Sequence, residues 1–233
     1  MAKKLGYFEK RNVSSDFYDS FRFPKYIENV LPKNKKAKIL DIGCGFGQIL
    51  KGLKRRGYVN AKGLDPSEEA IAFCGKNGLE VEHTDISKFI FKNKEKFDFI
   101  IMSHVLEHIE KKKIIPTLKK IKKKLLSEKG EFCVIVPNAQ SDTGCYWAYE
   151  DFTHTTMFTS GSIFYVLKSA GFQKVKILDP KGIENYPFWL RAIRQVLLPL
   201  YKIRKYCWNK AAWTGYHGQS PNIFTFEIKV LAK

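Results

Sequence analysis

A glycine-rich turn early in the chain constrains the fold more than any other feature of this sequence. The apolar segment Ala37–Ile42 leads directly into Gly43-Cys-Gly-Phe-Gly47, and a segment of helical character, Gln48–Arg56, follows it. A strand, a glycine turn and a helix in this order let a ligand press against bare backbone at the carboxyl edge of a parallel sheet. The turn therefore predicts an α/β fold with a ligand site at that edge.

The rest of the chain repeats the alternation of strand and helix. From Lys36 onward, short runs rich in Ile, Val and Phe alternate with segments of helical period, the pattern of a parallel sheet with helices on both faces. Ile114, Leu118, Ile121 and Leu125 lie on one side of such a helix, with lysines on the other. We predict a Rossmann-like, doubly wound, mostly parallel sheet of seven strands. The predicted strands are Ala37–Ile42, Ala61–Asp65, Glu80–His83, Phe97–Ser103, Glu131–Val136, Gln173–Leu178 and Ile223–Ala232.

The chain of 233 residues is long enough for one well-buried domain, which we divide into four segments. Residues 1–35 form a predicted helical cap, with the aromatic stretch Phe17–Phe23 and a helix that ends near Leu31. The core covers residues 36–180. A basic, aromatic helical insertion covers residues 181–221, and residues 222–233 supply the last strand.

Two other ligand-binding turns are excluded by positions near the loop. A dinucleotide-binding fingerprint, G-x-G-x-x-G, requires a third glycine where Gln48 stands. A P-loop requires Lys-Ser or Lys-Thr after Gly47-x-x-x-x-Gly52, where Leu53 and Lys54 stand instead. The turn must therefore serve a different cofactor.

The loop resembles the acidic-x-G-x-G-x-G motif of class I S-adenosylmethionine (SAM) dependent methyltransferases, matched here by Asp41, Gly43, Gly45 and Gly47. The resemblance implies that the loop packs against the methionine half of SAM. It also implies that an acid ending the next strand binds the ribose. Asp65 occupies that position, and a carboxylate can accept two hydrogen bonds from a vicinal diol.

A third acid, Asp85, follows strand three, and the resemblance implies that it lies near the adenine amino group with Ile86 along the ring. The alternative is that Asp65 and Asp85 only cap helices. We predict SAM as the cofactor and S-adenosylhomocysteine as its product. The predicted cofactor-binding residues are Asp41, Gly43, Cys44, Gly45, Gly47, Asp65, Pro66, Asp85, Ile86, Ser103 and His104.

The segment after strand four, Ser103–Ile109, lacks the Asn/Asp-Pro-Pro-aromatic tetrad usual in family members that methylate exocyclic amines of DNA. It instead resembles the His-x-Leu-Glu-His stretch of small-molecule and sugar methyltransferases. Glu107 and His108 also resemble part of a Glu-x-x-Glu-His site that binds a divalent ion in quinone O-methyltransferases, but His104 replaces the first Glu. We therefore predict no metal.

A polar loop after strand five contains Asp151-Phe-Thr-His154. It resembles a signature of methyltransferases encoded with bacterial surface-polysaccharide (capsule or O-antigen) genes, and the resemblance covers roughly residues 36–180. His154 is the predicted general base, because a neutral imidazole can take a proton from an attacking hydroxyl, and Asp151 or Glu107 would orient it. His108 and His104 are the alternative bases. Otherwise His154 only connects the loop to its neighbours.

Lysine and arginine dominate the charge of the chain, 41 residues against 23 Asp and Glu, for a net charge of +18. Such an excess favours a polyanionic partner, although lysine runs such as Lys122–Lys124 also fit the solvated face of a helix. Within the insertion, apolar and basic residues interleave at helical spacing, and Pro199 is predicted to break or bend the helix. Residues 186–213 would suit a membrane interface, a lid over a phosphate-bearing acceptor, an ordinary helical pair, a contact between two copies, or RNA stacking.

The cysteines and the N-terminus bear on where the protein works. The five cysteines are widely spaced and include no Cys-x-x-Cys pair, so we predict reduced thiols and no zinc site. The first residues lack the apolar core of a secretory signal, and no apolar run is long enough to span a membrane. We expect a cytoplasmic protein, or one at the inner face of the membrane if the insertion binds lipid.

These features together predict an O-methyltransferase whose acceptor is a sugar, sugar phosphate or phosphate-type group of a bacterial surface-glycan precursor. The first alternative is an RNA methyltransferase, which only the net charge favours. An alternative of another class is a SAM-binding or membrane-associated scaffold without catalytic activity. The sequence does not select the acceptor atom or the oligomeric state.

Overall fold

Seven strands form one mixed sheet in the computed structural model, which describes residues 6–14, 21–182, 184, 186–213 and 221–233. The strand order is β3-β2-β1-β4-β5-β7-β6, with β7 antiparallel to both neighbours and the other pairs parallel. The predicted Rossmann-like, mostly parallel sheet is therefore confirmed. The strands are β1 Ile39–Ile42, β2 Ala61–Asp65, β3 Val81–His83, β4 Phe97–Ser103, β5 Leu126–Pro137, β6 Val175–Ile177 and β7 Glu227–Ala232.

Helices cover both faces of the sheet, because alternate side chains of each strand face opposite sides. In β1, Leu40 and Ile42 pack in one cluster, while Ile39 packs in another on the opposite face. Helices α5, α6 and α8 contribute to the first cluster, and α2 and α3 to the second. The described helices are α1 Tyr7–Lys10, α2 Lys25–Glu28, α3 Gln48–Arg55, α4 Glu68–Lys76, α5 Ile86–Lys92, α6 Lys111–Lys120, α7 Gly144–Glu150, α8 Ser160–Ser169 and α9 Phe188–Ala211.

The apolar stripe predicted for the lysine-rich helix is confirmed. Ile114, Leu118, Ile121 and Leu125 are all buried, and the last two lie in a π-helical turn, Ile121–Leu125, that continues α6. The lysines of α6 lie on its exposed side. This helix packs in the same hydrophobic cluster as β4 and β5, whose ends carry the candidate site.

Five strands differ from their predicted limits, β1, β3 and β6 by one or two residues at an end and β5 and β7 by more. β5 begins at Leu126, earlier than predicted, because Leu126 pairs with Phe97 across a register shift. β7 begins at Glu227 rather than at Ile223. The backbone before it is held by the side-chain amide of Asn138, which donates to the carbonyl oxygen of Thr225 at 2.8 Å. The backbone N–H of Asn138 also donates to the carbonyl oxygen of Phe226 at 2.8 Å, so Asn138 binds this segment through both its side chain and its backbone.

The helical insertion before the last strand is confirmed, but Pro199 does not break it. Helix α9 runs through Pro199, so of the predicted break or bend the break does not occur. Proline removes one intrahelical hydrogen bond, and the freed carbonyl belongs to Gln195, which is exposed to water. Within the described ranges no helix is both long and apolar enough to cross a membrane. In the predicted aromatic stretch, residues 17–20 lie outside the described part of the chain.

Candidate active site

The glycine loop between β1 and α3 adopts a backbone that only glycine accommodates well. Gly43, Gly45 and Gly47 have φ angles of +72°, +51° and +74°, in the left-handed region where a Cβ meets the following carbonyl. A Cβ on Gly43 would also lie 2.2 Å from Cγ2 of Val105. All three positions therefore require a positive φ, which favours glycine. Because glycine has no side chain, the loop exposes its backbone at the carboxyl edge of the sheet.

Asp65, at the end of β2, fixes this loop by accepting hydrogen bonds from backbone N–H groups. Its Oδ2 accepts the backbone N–H of Gly45 at 2.9 Å, and its Oδ1 accepts that of Ser67 at 2.8 Å. Burial raises the pKa of Asp65 above its usual value, although these two N–H groups act in the opposite direction. Each oxygen keeps a further lone pair, so the carboxylate can shape the loop and still accept hydrogen bonds from a diol.

Asp41, the first acid of the motif, is almost completely buried at the end of β1. Its Oδ2 finds no hydrogen-bond partner among the described residues. Burial, together with the nearby charge of Asp65, raises the pKa of Asp41 to about 7. A buried carboxylate without a donor is costly, so this position favours a ligand that carries positive charge.

The other acid predicted at the cofactor, Asp85, lies at the end of β3. It is the N-cap of α5 and accepts the backbone N–H of Lys88 at 3.0 Å. The neighbouring Thr84 donates its N–H to the carbonyl oxygen of Asp65 at 3.1 Å, so β2 and β3 present both acids at one edge. The capping alternative is thus realised for Asp85, and its half-exposed carboxylate remains available as well.

Three further residues predicted at the cofactor have protein partners. The carbonyl oxygen of Pro66 is in hydrogen-bond contact with Nε2 of His83 at 2.9 Å. The thiol of Cys44 points beneath the loop and is buried, so Cys44 can offer a ligand only its backbone. Ile86 is partly buried against the main hydrophobic cluster.

His104 follows Ser103 at the end of β4 and is clamped between two carboxylates. Its Nδ1 lies 3.2 Å from Oε1 of Glu107, and its Nε2 lies 2.9 Å from Oε1 of Glu227. Partial desolvation of this half-exposed ring opposes its charge, but the two carboxylates outweigh that and raise the pKa of His104 to about 10. A histidine that is protonated at neutral pH cannot serve as a general base, so its place here is structural or electrostatic.

His154 has a fixed orientation in the loop after α7. Its Nδ1 lies 2.7 Å from the carbonyl oxygen of Trp147, which can only accept, so the neutral ring carries its proton on Nδ1 and leaves Nε2 as a base. Nε2 is 4.0 Å from Oε1 of Glu107 and 4.0 Å from Oδ2 of Asp151. Neither acid is within hydrogen-bond distance, so a backbone carbonyl orients the ring.

His108 lies beside His154, with the ring centroids 4.7 Å apart. The Thr153 hydroxyl donates to Oδ1 of Asp151 at 2.6 Å, so it accepts from Nδ1 of His108 at 2.8 Å. Burial lowers the pKa of His108 below its usual value, with the neighbouring His154 contributing. His108 is therefore neutral at physiological pH, and it too leaves Nε2 unprotonated.

Glu107 connects the two histidines to the end of β4. Ligand atoms of Glu107, His108 and His154 lie within 4.8 Å of one another, and Oε2 of the buried Glu107 has no hydrogen-bond partner within the described ranges. One carboxylate and two imidazoles are a donor set that divalent transition metals accept. Within the same group, the carboxylate of Glu107 could equally stabilise a protonated histidine.

Helix α1 lies within the predicted N-terminal cap of residues 1–35 and contacts both sides of the site, but the sequence did not reveal its partners there. The hydroxyl of Tyr7 donates to Oδ2 of Asp151 at 2.5 Å, and Arg11 pairs with the same oxygen at 3.1 Å. On the other side, the ring of Phe8 packs on Phe46 of the glycine loop at 4.7 Å between centroids. One short helix thus joins the predicted cofactor loop to the predicted acceptor loop.

The electrostatics of this contact follow from its hydrogen bonds. Burial would raise the pKa of Asp151, but hydrogen bonds from Thr153 and Tyr7 and the charge of Arg11 outweigh it and lower that pKa to about 2. Burial and the neighbouring Asp151 raise the pKa of Tyr7 to about 12. The contact is therefore a neutral phenol bound to an ionised carboxylate across the physiological range.

Comparisons with known proteins agree with this geometry. A family model described as a methyltransferase domain matches residues 18–177. The chain is 34% identical over 79 residues to a ubiquinone biosynthesis O-methyltransferase of Pelagibacter ubique (strain HTCC1062), which is 32% of each chain. It is 27% identical over 175 residues to N-methyltransferase 4 of Papaver somniferum, which is 70% of this chain and 48% of that one. The matches thus span about a third to a half of these relatives.

Among solved structures, the fold is similar to that of a SAM dependent methyltransferase from Archaeoglobus fulgidus. The TM-score is 0.65 over 97% of both chains, at 21% sequence identity. Similarity at this level concerns the arrangement of strands and helices. It extends over the sheet and the helices that carry the site.

Proposed function

This chain belongs to the methyltransferase domain family, and from that premise we propose that it transfers a methyl group from SAM to a hydroxyl oxygen of a small polar acceptor. SAM is the cofactor of this fold. The acceptor we favour is a sugar, sugar phosphate or phosphate-type group of a surface-glycan precursor. The observation that carries the proposal is the oriented His154, whose Nε2 lies at the carboxyl edge with Glu107 nearby.

The residues at the carboxyl edge fit SAM. The buried Asp41, with an oxygen that lacks a donor among the described residues, suits a positively charged group, and Asp65 and Asp85 suit the ribose and the adenine. The bare backbone of Gly43 and Gly45 allows close approach. When bound, SAM supplies a methyl group attached to a positively charged sulfonium sulfur. That charge already activates S-adenosylhomocysteine as the leaving group.

The protein itself would position the acceptor and take its proton. Nε2 of His154 accepts the hydroxyl proton, while Nδ1–H stays bonded to the carbonyl of Trp147 and keeps the tautomer fixed. The carboxylate of Glu107, 4.0 Å from Nε2, stabilises the imidazolium that forms. Orientation of the reacting groups supplies the larger part of the acceleration, and the general base adds about 10² to 10⁴ fold.

The side chains around His154 support a polar acceptor over an apolar one. Tyr7, Arg11, His108, Thr153 and Asp151 all contribute hydrogen-bonding groups to the mouth of the site. A polyhydroxy ligand needs such donors and acceptors, because unpaired polar groups are costly once water is excluded. The guanidinium of Arg11 also suits an acceptor that carries phosphate.

The location that fits this function is the cytoplasm, where sugar precursors and SAM are both present. Many lysines lie on exposed helix faces, where water solvates them, so the net charge by itself gives little support to an RNA-binding role. RNA methylation nevertheless gives a distinct outcome in the test.

The test is to incubate the purified protein with methyl-labelled SAM and a desalted extract of its source cells, and to sort the label by fraction. We expect label in the glycan or small-molecule fraction. In His154→Asn, which can still donate to the Trp147 carbonyl but has no base, we expect turnover to fall by about 10² to 10⁴ fold with unchanged affinity for SAM.

Label in RNA would contradict the acceptor class and leave the cofactor site standing. SAM binding without any methyl transfer, equal in the parent and in His154→Asn, would favour the scaffold alternative. Tyr165→Phe serves as a control, because Tyr165 is 67% exposed on α8. It should retain turnover.

A further inference from the structure

Helix α9 is the longest helix of the described chain, yet none of its side chains is buried. Its large apolar residues face water instead. Val196, Leu200 and Ile203 are 68%, 60% and 61% exposed. Others on the helix that are exposed are Phe188, Trp189, Ile193, Leu197, Tyr206 and Trp208. Soluble proteins rarely leave so large a contiguous apolar surface uncovered without a binding role.

The polar contacts of α9 fix which side faces the protein. Arg194 donates to the carbonyl oxygens of Lys181 at 2.6 Å and Phe224 at 2.7 Å, and Lys205 donates to that of Gln140 at 2.8 Å. At 3.6 residues per turn, Val196, Leu200 and Ile203 lie on the opposite side from Arg194. The helix therefore turns two of its cations inward and its apolar face outward.

The charge of α9 discriminates between partners for that face. Its sequence contains six basic residues, Arg191, Arg194, Lys202, Arg204, Lys205 and Lys210, and no acidic residue. Two copies of this helix packed together would bring like charges into contact, which is unfavourable. An anionic surface would instead meet the flanking cations while the apolar face is buried.

A groove beside the helix extends the apolar surface. It has a volume of about 370 Å³ and is lined mainly by apolar and aromatic side chains, among them Leu190, Ile193, Leu197 and Phe224. Ile193 and Leu197 belong both to this groove and to the exposed face. The two surfaces are therefore continuous, and the groove can take hydrocarbon as the face does.

We propose that α9 docks the protein onto an anionic membrane surface. Val196, Leu200 and Ile203 enter the boundary between headgroups and acyl chains. Trp189, near the start of the helix and on the same side as Val196, lies at headgroup level, the depth that indole rings prefer. Lys202 and Lys210 meet lipid phosphate. This docking is independent of the acceptor that the enzyme methylates.

The test is sedimentation of the full chain with phosphatidylcholine vesicles, with and without phosphatidylglycerol. We expect binding to the anionic vesicles that weakens as salt rises. Val196→Glu with Leu200→Glu should weaken it by roughly tenfold or more, because burial of two aliphatic side chains is lost. Phe91→Glu is the control, since Phe91 is 85% exposed on α5 and should bind like the parent.

Removal of charge tests the second half of the argument. Lys202→Gln and Lys210→Gln should each weaken binding to anionic vesicles by roughly fivefold and leave any binding to neutral vesicles unchanged. Unaltered SAM affinity in each variant would show that the fold is intact. No binding to anionic vesicles at low salt, binding retained by the double Glu variant, or a dimer that this variant dissociates would each overturn the proposal.

Discussion

The two halves of the candidate site are held by different kinds of contact. The cofactor half depends on backbone: three glycines with positive φ and the N–H groups that Asp65 accepts. The acceptor half depends on side chains that come from distant parts of the sequence. Tyr7 reaches Asp151 over 144 residues of chain, and Thr155 donates to the carbonyl oxygen of Glu107 over 48.

This difference indicates which half can change without loss of the fold. A backbone loop with left-handed residues tolerates few substitutions, because each Cβ is strained or meets a neighbour. Side-chain contacts of the mouth can be exchanged for others while the sheet stays intact. A family can therefore keep one cofactor and vary its acceptors, as the O- and N-methyltransferase relatives of this chain illustrate by name.

The largest effect should come from Gly43→Ala, in the cofactor half. The left-handed backbone costs about 1–2 kcal/mol for a residue with Cβ, and the contact of that Cβ with Val105 adds about 1–3 kcal/mol of overpacking. We expect the free energy of unfolding to fall accordingly and SAM affinity to be lost. Calorimetry and chemical denaturation measure the two quantities.

Two variants sharpen this result. Gly43→Ala with Val105→Ala removes the contact but not the strained φ, so it should recover only part of the loss. Gly75→Ala is the matched control, because a Cβ there meets nothing within 4 Å and helix α4 should gain about 0.5–1 kcal/mol. Equal stability of Gly43→Ala and Gly75→Ala would contradict the backbone argument.

A second prediction concerns the pH dependence of SAM binding. In the ligand-free protein Asp41 has a pKa of about 7, and a positively charged ligand beside it lowers that pKa. Binding then releases a proton, so affinity should rise with pH by up to roughly tenfold per unit below pH 7 and level off above it. Titration calorimetry in buffers of different ionisation enthalpy measures both effects.

Asp41→Asn should remove this pH dependence, whereas Glu95→Gln, an exposed residue in a surface ion pair, should retain it. The sign for stability is opposite. Because the folded pKa of Asp41 lies above that of an unfolded aspartate, its contribution to folding falls as pH rises from about 4 to 7. A SAM affinity that decreases over this range would be incompatible with an Asp41 that faces the cofactor.

The same difference explains what could be predicted from the sequence. The sheet, the glycine turn, the Asp65 position and the stripe of α6 depend on local patterns, and the fold, the cofactor and the enzyme class predicted from them are confirmed. The strand ends were less predictable, because they depend on contacts between residues far apart in sequence. Leu126 at the start of β5 pairs with Phe97, and Asn138 binds the carbonyl oxygen of Thr225 just before β7.

The acceptor half could be predicted only as a set of residue types. His154 and Asp151 were identified by motif, but a base in this position needs an orienting group, and that group is the carbonyl of Trp147, which has no sequence signal. The sequence likewise contains no pattern that marks Tyr7 and Arg11 as the partners of Asp151. Tyr7 and Arg11 contact Asp151 only because the fold brings helix α1 to the carboxyl edge of the sheet.

The smallest effect should come from Tyr7→Phe, which removes one hydrogen bond to Asp151 while Phe8 keeps its place on Phe46. Arg11 and Thr153 still satisfy that carboxylate, so the loss should be about 1 kcal/mol, or roughly fivefold in acceptor KM, with SAM affinity unchanged. Phe8→Ala should show the reverse pattern, weaker SAM binding with little change in acceptor KM.

Acid provides an independent measure of the same contact. Asp151 has a folded pKa of about 2, below that of an unfolded aspartate, so its stabilising contribution is present above about pH 4 and is lost as pH falls toward 2. The protection of amides 7–10, measured relative to the intrinsic exchange rate at each pH, should fall over that range, and in Tyr7→Phe it should be lower already at neutral pH. If Tyr7→Phe and Phe8→Ala each change SAM affinity and acceptor KM equally, α1 acts as one rigid cover and the two halves of the site are not independent.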